Sequence, residues 1–265
     1  MIKMVAIDLD GTLLDDDKNY DKERFNKVVD KIYKNDGHVV IATGNQYLKA
    51  TQFFEESKNE LIFITDNGGT IHIEDELHFS ETLDNEKYQR FIQQLPDFLM
   101  DKMVVSTHDY AMISDGEHEE YFLEAANLHF PILKRMSDLQ SIDVPIIKIT
   151  MNFDEDEDID VDEIENILPE SWRLTSSGFG FYDIILNDIS KLTAVRELQE
   201  LYDIDDNEIV AFGDSNNDFE LIDAIPNSYA MENGTDKIKH AATHTIGHSN
   251  DNAVIDTLEK IFEDL

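Results

Sequence analysis

The sequence contains no cysteine, so disulfide bonds, thiolate metal sites and a cysteine nucleophile are excluded. Basic residues are scarce: 21 lysines and arginines stand against 58 aspartates and glutamates, a formal net charge of -37. Because lysine and arginine neutralise phosphates, we expect neither a nucleic acid nor an anionic membrane surface as a partner. No apolar run approaches the roughly 18 residues of a membrane span, and no signal core opens the chain, so we expect a cytoplasmic protein.

Length and apolar content allow one large domain or two modest ones, since 41% of the 265 residues are hydrophobic. The acidity indicates a well-solvated surface, and composition gives no further reason for it. Nothing in the sequence indicates the oligomeric state.

Short β-branched runs alternate with helical stretches near both ends of the chain. The predicted strands are 4–7, 39–42, 61–64 and 209–212, and the predicted helices are 21–33, one starting near Phe219, and 253–262. This alternation predicts an α/β fold with a doubly wound parallel sheet, whose functional residues lie at the carboxyl ends of the strands.

The middle of the chain has a different character. Between Leu83 and Leu186, strand-like runs at 103–106, 111–114, 146–151 and 182–186 lie beside helices. The pattern predicts an α+β module inserted into the doubly wound domain. The predicted core is therefore 1–82 with 187–265, and the predicted insertion is 83–186.

The segment Asp8-Leu9-Asp10-Gly11-Thr12 directly follows the first predicted strand. Two carboxylates that leave a buried strand at a glycine turn suit a nucleophile and a proton carrier that share one divalent metal ion. In that interpretation Asp8 attacks a phosphorus atom, and Asp10 protonates the leaving oxygen and then activates water. The alternative is an ordinary polar strand end in a glycine turn.

Three further sites carry groups suited to phosphate or metal. Thr43-Gly44 offers a hydroxyl and an amide after the second strand, although Thr-Gly at that place is usually only a turn. Lys191 opens a predicted helix and would neutralise a phosphoryl group, although most lysines are surface residues. In Gly213-Asp214-Ser215-Asn216-Asn217-Asp218, Asp214 suits a magnesium ligand and Asn217 suits phosphate or a metal-bound water, although the string also suits an Asx-rich turn and helix N-cap.

Taken in order, these motifs resemble the haloacid dehalogenase superfamily, and within it the Cof-type phosphatases. Asn67-Gly68 after the third strand, and Ala230-Met231-Glu232-Asn233 followed by Lys239, add to the likeness, which covers the whole chain. The resemblance implies a Rossmann-like core and a large α/β cap, inserted between the second and third motifs, that sets specificity. It also implies magnesium dependence and hydrolysis of small phosphorylated metabolites such as sugar phosphates.

The resemblance further implies a role for each motif residue. Asp8 would be the nucleophile and a magnesium ligand, Asp10 the acid/base with its backbone carbonyl at the metal, and Asp214 the remaining metal ligand. The implied phosphate contacts are the amides of Leu9, Thr43 and Gly44 and the side chains of Lys191 and Asn217, with Thr12 and Asp218 in support. Asp218 is expected to orient Lys191 and the metal shell.

Two positions depart from the family pattern. Asn45 stands where the family commonly has arginine, and Leu192 stands where glycine commonly follows the motif lysine. Neither departure removes a residue assigned to the chemical step, so we expect activity. They leave open the alternative of a non-catalytic phosphosugar-binding or regulatory protein. A phosphotransferase that uses a second metabolite instead of water is also open, because the motifs serve both outcomes.

Other polar segments favour structural interpretations. The acidic run from Asp154 to Glu165 has the ligand spacing of a calcium loop, but Ile159 replaces the required glycine, and a helix through Ile164, Ile167 and Leu168 is the better prediction. His240, His244 and His248 recur every four residues, yet 243–246 is predicted as a short strand. Aromatic residues Phe179, Phe181 and Tyr182 either line a substrate pocket or pack the insertion, and Trp172 is expected to pack it.

Overall fold

The computed structural model describes residues 1–154, 161–178 and 180–263. The chain forms two compact units. One comprises Met1–Gly44, Phe53–Phe79 and Ser190–Leu265, and the other comprises Asn45–Gln52 and Ser80–Ile189. Nothing in the sequence indicated that residues 45–52 belong to the second unit. The domain limits given in the sequence analysis stay predictions.

Strands and helices alternate as the sequence pattern indicates. The strands are β1 Met4–Ile7, β2 His38–Ala42, β3 Leu61–Thr65, β4 Thr70–Ile73, β5 Glu76–Ser80, β6 Met103–Ser106, β7 Ala111–Ser114, β8 Leu133–Met136, β9 Lys148–Asn152, β10 Trp172–Gly178, β11 Phe181–Leu186, β12 Ile209–Gly213, β13 Asn227–Met231 and β14 His244–Ile246. The helices are α1 Lys22–Tyr33, α2 Tyr47–Ala50, α3 Asn85–Gln94, α4 Asp97–Met100, α5 Glu120–His129, α6 Val161–Glu165, α7 Lys191–Tyr202, α8 Phe219–Ala224, α9 Asp236–Ala241 and α10 Ala253–Ile261.

The first unit is built on an eight-stranded sheet with the order β14-β13-β12-β1-β2-β3-β4-β5. From β14 to β3 every neighbouring pair is parallel, and β4 then runs antiparallel to β3. Parallel strands need helical crossovers, which cover both faces of the sheet and explain why the central strands are apolar throughout. The predicted α/β core with a Rossmann-like sheet is therefore confirmed.

Helices α7 and α1 pack on opposite faces of this sheet, as the alternating side chains of the strands show. Met4 and Ala6 of β1 pack in one cluster with Ala194, Val195 and Leu198 of α7. On the other face, Phe25 of α1 contacts Phe54, whose ring centroid lies 5.8 Å from that of Phe63 in β3. Because successive strand residues alternate between faces, Asp8 continues the parity of Met4 and Ala6 and lies on the α7 side.

The second unit contains a six-stranded sheet with the order β10-β11-β9-β6-β7-β8. Its neighbouring pairs are antiparallel except β7 with β8. Helix α3 packs on one face through Tyr88, Phe91 and Ile92, which share a cluster with Trp172, and α5 packs on the other through Phe122 and Ala126. The predicted α+β insertion is confirmed as a fold class, and Trp172 is buried as predicted.

Several details differ from the sequence-based expectations. The strands without a counterpart in the predicted set are β4, β5, β8, β10 and β13. In β8, hydrophobic and polar residues alternate little, and Lys134 and Arg135 are exposed. Helix α6 ends at Glu165, and Ile167 and Leu168 follow it in a turn. The candidate calcium segment falls largely on 155–160, outside the described residues. Within the described residues, no helix has the length and apolar character needed to cross a membrane.

Candidate active site

Four adjacent parallel strands bring the predicted motifs to one edge of the sheet. Asp8 follows β1, Thr43 follows β2, Asn67 lies in the turn after β3, and Asp214 follows β12. These strands are neighbours in the order β12-β1-β2-β3. The carboxyl ends of neighbouring parallel strands meet at the same edge, which is where ligands bind in open α/β sheets.

Gly11 allows the loop after β1 to lie against Asp214. Its φ of +81° is in the left-handed region, and a Cβ at this position would lie 2.6 Å from Asp214 Oδ2. The Thr12 hydroxyl donates to Asp214 Oδ1 at 3.2 Å. Only glycine fits both the backbone conformation and the close approach, so the Asp-Gly-Thr sequence holds the β1 and β12 loops together.

Lys191 is fully buried at the first position of α7. Ser190 caps the helix, because its hydroxyl accepts from the Thr193 amide at 3.1 Å and the Thr193 hydroxyl accepts from the Ser190 amide at 2.9 Å. The Lys191 ammonium donates to Asp8 Oδ1 and to Asp218 Oδ1, each at 2.6 Å. The helix start therefore holds a cation against the predicted nucleophile.

Asp218 uses both carboxylate oxygens within the protein. Oδ1 accepts from Lys191, and Oδ2 accepts from the amides of Asp214 and Ser215, each at 3.0 Å. The side chain has no exposed surface. These contacts fix the ammonium of Lys191 and the backbone of the β12 loop relative to one another.

Burial and mutual repulsion set the charge state of the carboxylates. Burial raises the pKa of Asp8 to about 7, against the opposing effect of Lys191. Burial, followed by the charges of Asp8 and Asp218, raises the pKa of Asp214 to about 9. Burial also opposes the charge of Lys191, but Asp218 and Asp8 outweigh it and raise the pKa of the ammonium. Without a cation, the folded protein therefore favours the protonated forms of Asp8 and Asp214, because their ionised forms would place an excess of negative charge here.

The site is suited to a metal ion. Oxygens of Asp8, Asp214 and Asp218 lie within 4.8 Å of one another. When all three carboxylates are ionised, one buried ammonium leaves two negative charges, which a divalent cation would neutralise. Because both oxygens of Asp218 are engaged, the cation would be held by Asp8 and Asp214. An all-oxygen donor set of few carboxylates is typical of ions that keep part of their hydration shell.

Asp10 lies outside this carboxylate cluster. Its Oδ1 accepts from Lys18 Nζ at 2.7 Å, and both side chains are partly exposed. The Lys18 backbone has φ of +61° within a turn, in which its amide donates to Asp15 at 3.0 Å. Lys18 had no signal in the sequence, because a lysine ten residues after Asp8 belongs to no motif.

The predicted phosphate-binding residues occupy different environments. Leu9 and Thr43 are buried, and Gly44 and Asn217 are partly exposed. One part of the prediction is wrong: the Thr43 amide donates to Ile64 at 2.9 Å in the β2–β3 ladder and so does not serve phosphate. The hydroxyl of Thr43 and the amide of Gly44 stay predicted contacts.

Three residues at the site had only the family resemblance as a signal and no assigned role. Asn67 Oδ1 accepts from Asn217 Nδ2 at 2.9 Å. Gly68 has φ of +103°, and a Cβ there would lie 2.2 Å from the carbonyl oxygen of Ser190. Asn233 Nδ2 donates to the Gly11 carbonyl at 2.7 Å. All three join loops that are distant in the sequence.

The remaining candidates have structural contacts. His240 lies in α9 with Nδ1 2.6 Å from Asp236 O, His244 lies in the predicted short strand, and His248 precedes a 3-10 turn. The three histidines therefore share no helix face. Phe181 contacts His129, with ring centroids 4.6 Å apart, and Tyr182 contacts Phe153. Phe179 lies outside the described residues.

The two departures from the family pattern also have contacts. His129 Nδ1 lies 3.4 Å from Asn45 Oδ1. Leu192 is partly buried and packs against the apolar cluster beneath α7. An apolar side chain after Lys191 thus adds to the packing of the helix that carries the lysine.

Comparison with known families agrees with this arrangement. A family model for haloacid dehalogenase-like hydrolases matches residues 5–258. The chain therefore belongs to the haloacid dehalogenase-like hydrolases, and the Cof-type resemblance predicted from the sequence is confirmed.

Curated relatives and solved structures extend over nearly the whole chain. The chain is 27% identical to the 5-amino-6-(5-phospho-D-ribitylamino)uracil phosphatase YbjI of Escherichia coli K12, over 99% of this chain and 97% of that protein. It is 23% identical to YitU of Bacillus subtilis, which bears the same activity name, over 98% and 97%. The crystal structure of SMU.1108c from Streptococcus mutans UA159 has a TM-score of 0.89 at 23% identity, with both chains fully covered. With the family match, these likenesses define the enzyme class as a phosphoric monoester hydrolase.

Proposed function

We propose that this protein is a magnesium-dependent phosphatase that hydrolyses a small phosphorylated metabolite through an aspartyl phosphate on Asp8. The observation that carries the proposal is the buried contact of Lys191 with Asp8 at 2.6 Å, beside a second pair of carboxylates. A carboxylate that only stabilised the fold would be adequately paired by one lysine. Here two further acidic groups are buried against it, which favours a site that is completed by a cation and an anionic substrate.

The proposed chemistry gives each of three side chains one role. The Asp8 carboxylate attacks phosphorus, and the bond between phosphorus and the leaving oxygen breaks while Asp10 donates a proton to that oxygen. Water then attacks the phosphorus of the aspartyl phosphate, Asp10 accepts the proton of that water, and the bond to Asp8 breaks to release phosphate. Lys191 holds Asp8 in place and offsets the charge of the phosphoryl oxygens.

The proposed scheme includes one divalent metal ion. Asp8, Asp214 and the Asp10 backbone carbonyl are the residues that would hold it, and Asp218 orients Lys191 beside it. When bound, a divalent cation would neutralise charge on the phosphoryl group and orient it for in-line attack. Magnesium is the proposed ion because carboxylate, carbonyl and water oxygens are its preferred ligands.

Proposed substrates are small phosphate monoesters in the cytoplasm, with sugar phosphates first. Two relatives named as phosphatases of 5-amino-6-(5-phospho-D-ribitylamino)uracil make phosphorylated polyol chains a specific class to include. The deficit of basic residues supports small substrates over nucleic acids. A phosphate-release screen over sugar phosphates, nucleotides, phosphoribityl compounds and cofactor phosphates, with magnesium or with chelator, would identify the class.

Asp8→Asn is the direct test of the proposal. It keeps the volume of the side chain and removes the nucleophilic charge, so hydrolysis of p-nitrophenyl phosphate should fall to background while the fold is retained. Asp10→Asn should slow turnover by about 10²–10⁴-fold, the usual contribution of a general acid/base. Undiminished turnover by Asp8→Asn would exclude the proposed nucleophile. Phosphorylation of an added acceptor in place of phosphate release would instead assign a phosphotransferase.

A further inference from the structure

The turn after β3 is held in an unfavourable backbone conformation. Asp66, Asn67 and Gly68 have consecutive φ values of +53°, +60° and +103°. Non-glycine residues rarely adopt this region, and such strain persists only where surrounding contacts impose it. Asp66 and Asn67 are also almost fully buried, at 3% and 2% exposure. A strained and buried polar turn at the edge of the sheet indicates a function beyond chain reversal.

The contacts of Asn67 join two predicted phosphate-binding loops. Its amide donates to the Thr43 carbonyl at 3.1 Å. Its Oδ1 accepts from Asn217 Nδ2 at 2.9 Å, across 150 residues of sequence. The left-handed backbone allows both contacts, because it turns the amide toward β2 and the side chain toward the loop after β12.

Gly68 fixes the other side of the same turn. Its Cα packs so closely on Ser190 that a Cβ would lie 2.2 Å from the Ser190 carbonyl oxygen and 3.3 Å from the Lys191 amide. The turn is therefore packed against the start of α7. Because contacts on β2 and on α7 fix the turn, the side chain of Asn67 is held in place and can orient Asn217.

We propose that Asn67 is a positioning residue that orients the carboxamide of Asn217 for a phosphate oxygen. This inference rests on the proposed phosphatase function. A carboxamide nitrogen carries two N–H groups. Donation of one to Asn67 fixes the plane of the Asn217 amide and directs the second toward the ligand. Without this contact the amide would rotate, and the phosphate would have to order it on binding.

Inorganic phosphate, titrated calorimetrically in the presence of Mg²⁺, tests the proposal without turnover. Asn67→Gly removes the carboxamide and is compatible with the left-handed backbone. We expect it to weaken phosphate binding about tenfold, the scale of one hydrogen bond to a charged group. Asn217→Ala should weaken binding at least as much. Because Asn67 acts through Asn217, adding Asn67→Gly to Asn217→Ala should produce no further loss.

Asn252→Gly is the matched control. Asn252 also has a left-handed backbone, with φ of +55°, and its Oδ1 accepts from the Asp21 amide at 3.0 Å. Its replacement should lower thermal stability as Asn67→Gly does, but leave phosphate affinity unchanged. The KM for p-nitrophenyl phosphate should show the same pattern: it should rise in Asn67→Gly and in Asn217→Ala, and rise no further in the double variant. The kcat should change less than the KM.

Unchanged phosphate affinity in Asn67→Gly would overturn the positioning role. So would losses that multiply in the double variant, since they would show that Asn67 acts independently of Asn217. Both results leave the phosphatase proposal standing, because that proposal depends on Asp8→Asn. If the parent protein fails to bind phosphate at all, the premise that Asn217 holds phosphate is wrong and the positioning role fails, while the phosphatase proposal is still decided by Asp8→Asn.

Discussion

The ammonium of Lys191 lies 2.6 Å from the carboxylate of Asp8, although 183 residues separate them in the sequence. Neither side chain has appreciable exposure, and the same ammonium also contacts Asp218 at 2.6 Å. Burial of a single ion pair rarely adds stability, because desolvation offsets the attraction between the charges. We therefore expect this arrangement to serve the proposed chemistry at Asp8 rather than the stability of the fold.

Lys191→Met should destabilise the protein and abolish activity. It leaves the Asp8 and Asp218 carboxylates buried without their cation, and loss of one partner of a buried pair typically costs about 3–5 kcal/mol. Urea unfolding in chelator measures the change in the free energy of unfolding. The matched variant Lys191→Met/Asp218→Asn removes one of the stranded charges and should recover part of that stability, but none of the turnover. If Lys191→Met is as stable as the parent protein, the ion pairs are not formed as described.

The metal-free protein should become less stable as pH rises from about 4 to 9. The pKa of an aspartate in the unfolded chain is about 3.9, whereas the folded protein raises the pKa of Asp8 to about 7 and that of Asp214 to about 9. The folded state therefore binds more protons in this interval. Its stabilisation by these groups is complete below the unfolded pKa and is lost as pH rises through the folded values.

Magnesium should reverse that loss, because a bound cation favours the ionised carboxylates. Thermal unfolding at pH 6 and pH 9 should therefore show a larger increase in Tm on adding Mg²⁺ at pH 9. Asp214→Asn should flatten the pH dependence in chelator and weaken the magnesium effect. A magnesium effect that is equal at both pH values, or larger at pH 6, would contradict the proposed cation site.

Gly68→Ala should damage both stability and turnover. Alanine is disfavoured at φ of +103°, and its Cβ would meet the Ser190 carbonyl at 2.2 Å, so we expect a loss of about 2 kcal/mol or more. The displacement would move the start of α7 and Lys191 with it. Gly247→Ala is the control, because its Cβ would lie 3.3 Å from Ala253 Cβ and its φ is not in the left-handed region. Equal kcat in the two variants would show that the close packing of Gly68 against the start of α7 is irrelevant to catalysis.

Leu192→Gly tests the departure that follows Lys191. Glycine costs up to about 1 kcal/mol in a helix interior and less in the first turn, where Leu192 lies, and the apolar contacts of Leu192 with the core would also be lost. Urea unfolding should show this loss of stability, while kcat stays close to that of the parent protein. Leu192→Ala separates the two effects, since alanine keeps the helix propensity and removes most of the packing. A large loss of kcat in Leu192→Ala would show that Leu192 is more than a packing residue.

The sequence predicted most of the fold because its apolar pattern is strongly periodic. Strands β1, β6 and β7 were predicted to the residue, and β2, β3 and β12 differ from their predicted ranges by one residue at one end. The polar residues after β1, β2 and β12 could be assigned to one edge, since parallel strands impose that geometry. The apolar periodicity and the polar residues at strand ends are local features of the sequence, so they can be identified without knowledge of the tertiary contacts.

The contacts that were missed depend on side chains far apart in the sequence. Nothing near Asn67 indicates that its side chain accepts from Asn217, and nothing near Asp10 indicates the ion pair with Lys18. The amide of Thr43 was assigned to phosphate because its place in the β2–β3 ladder becomes evident only once the strand pairing is known. Residue types and spacing predict candidate reacting groups, but not the residues that hold them.

Trapping of the phosphorylated enzyme tests the central claim most directly. The protein is mixed with Mg²⁺ and a phosphate ester that it hydrolyses, quenched with acid within milliseconds, and digested for peptide mass spectrometry. We expect a phosphoryl group on the Asp8 side chain, which is absent from Asp8→Asn and accumulates in Asp10→Asn. Turnover without a phosphoryl group on Asp8, or with one on a different residue, would contradict that claim.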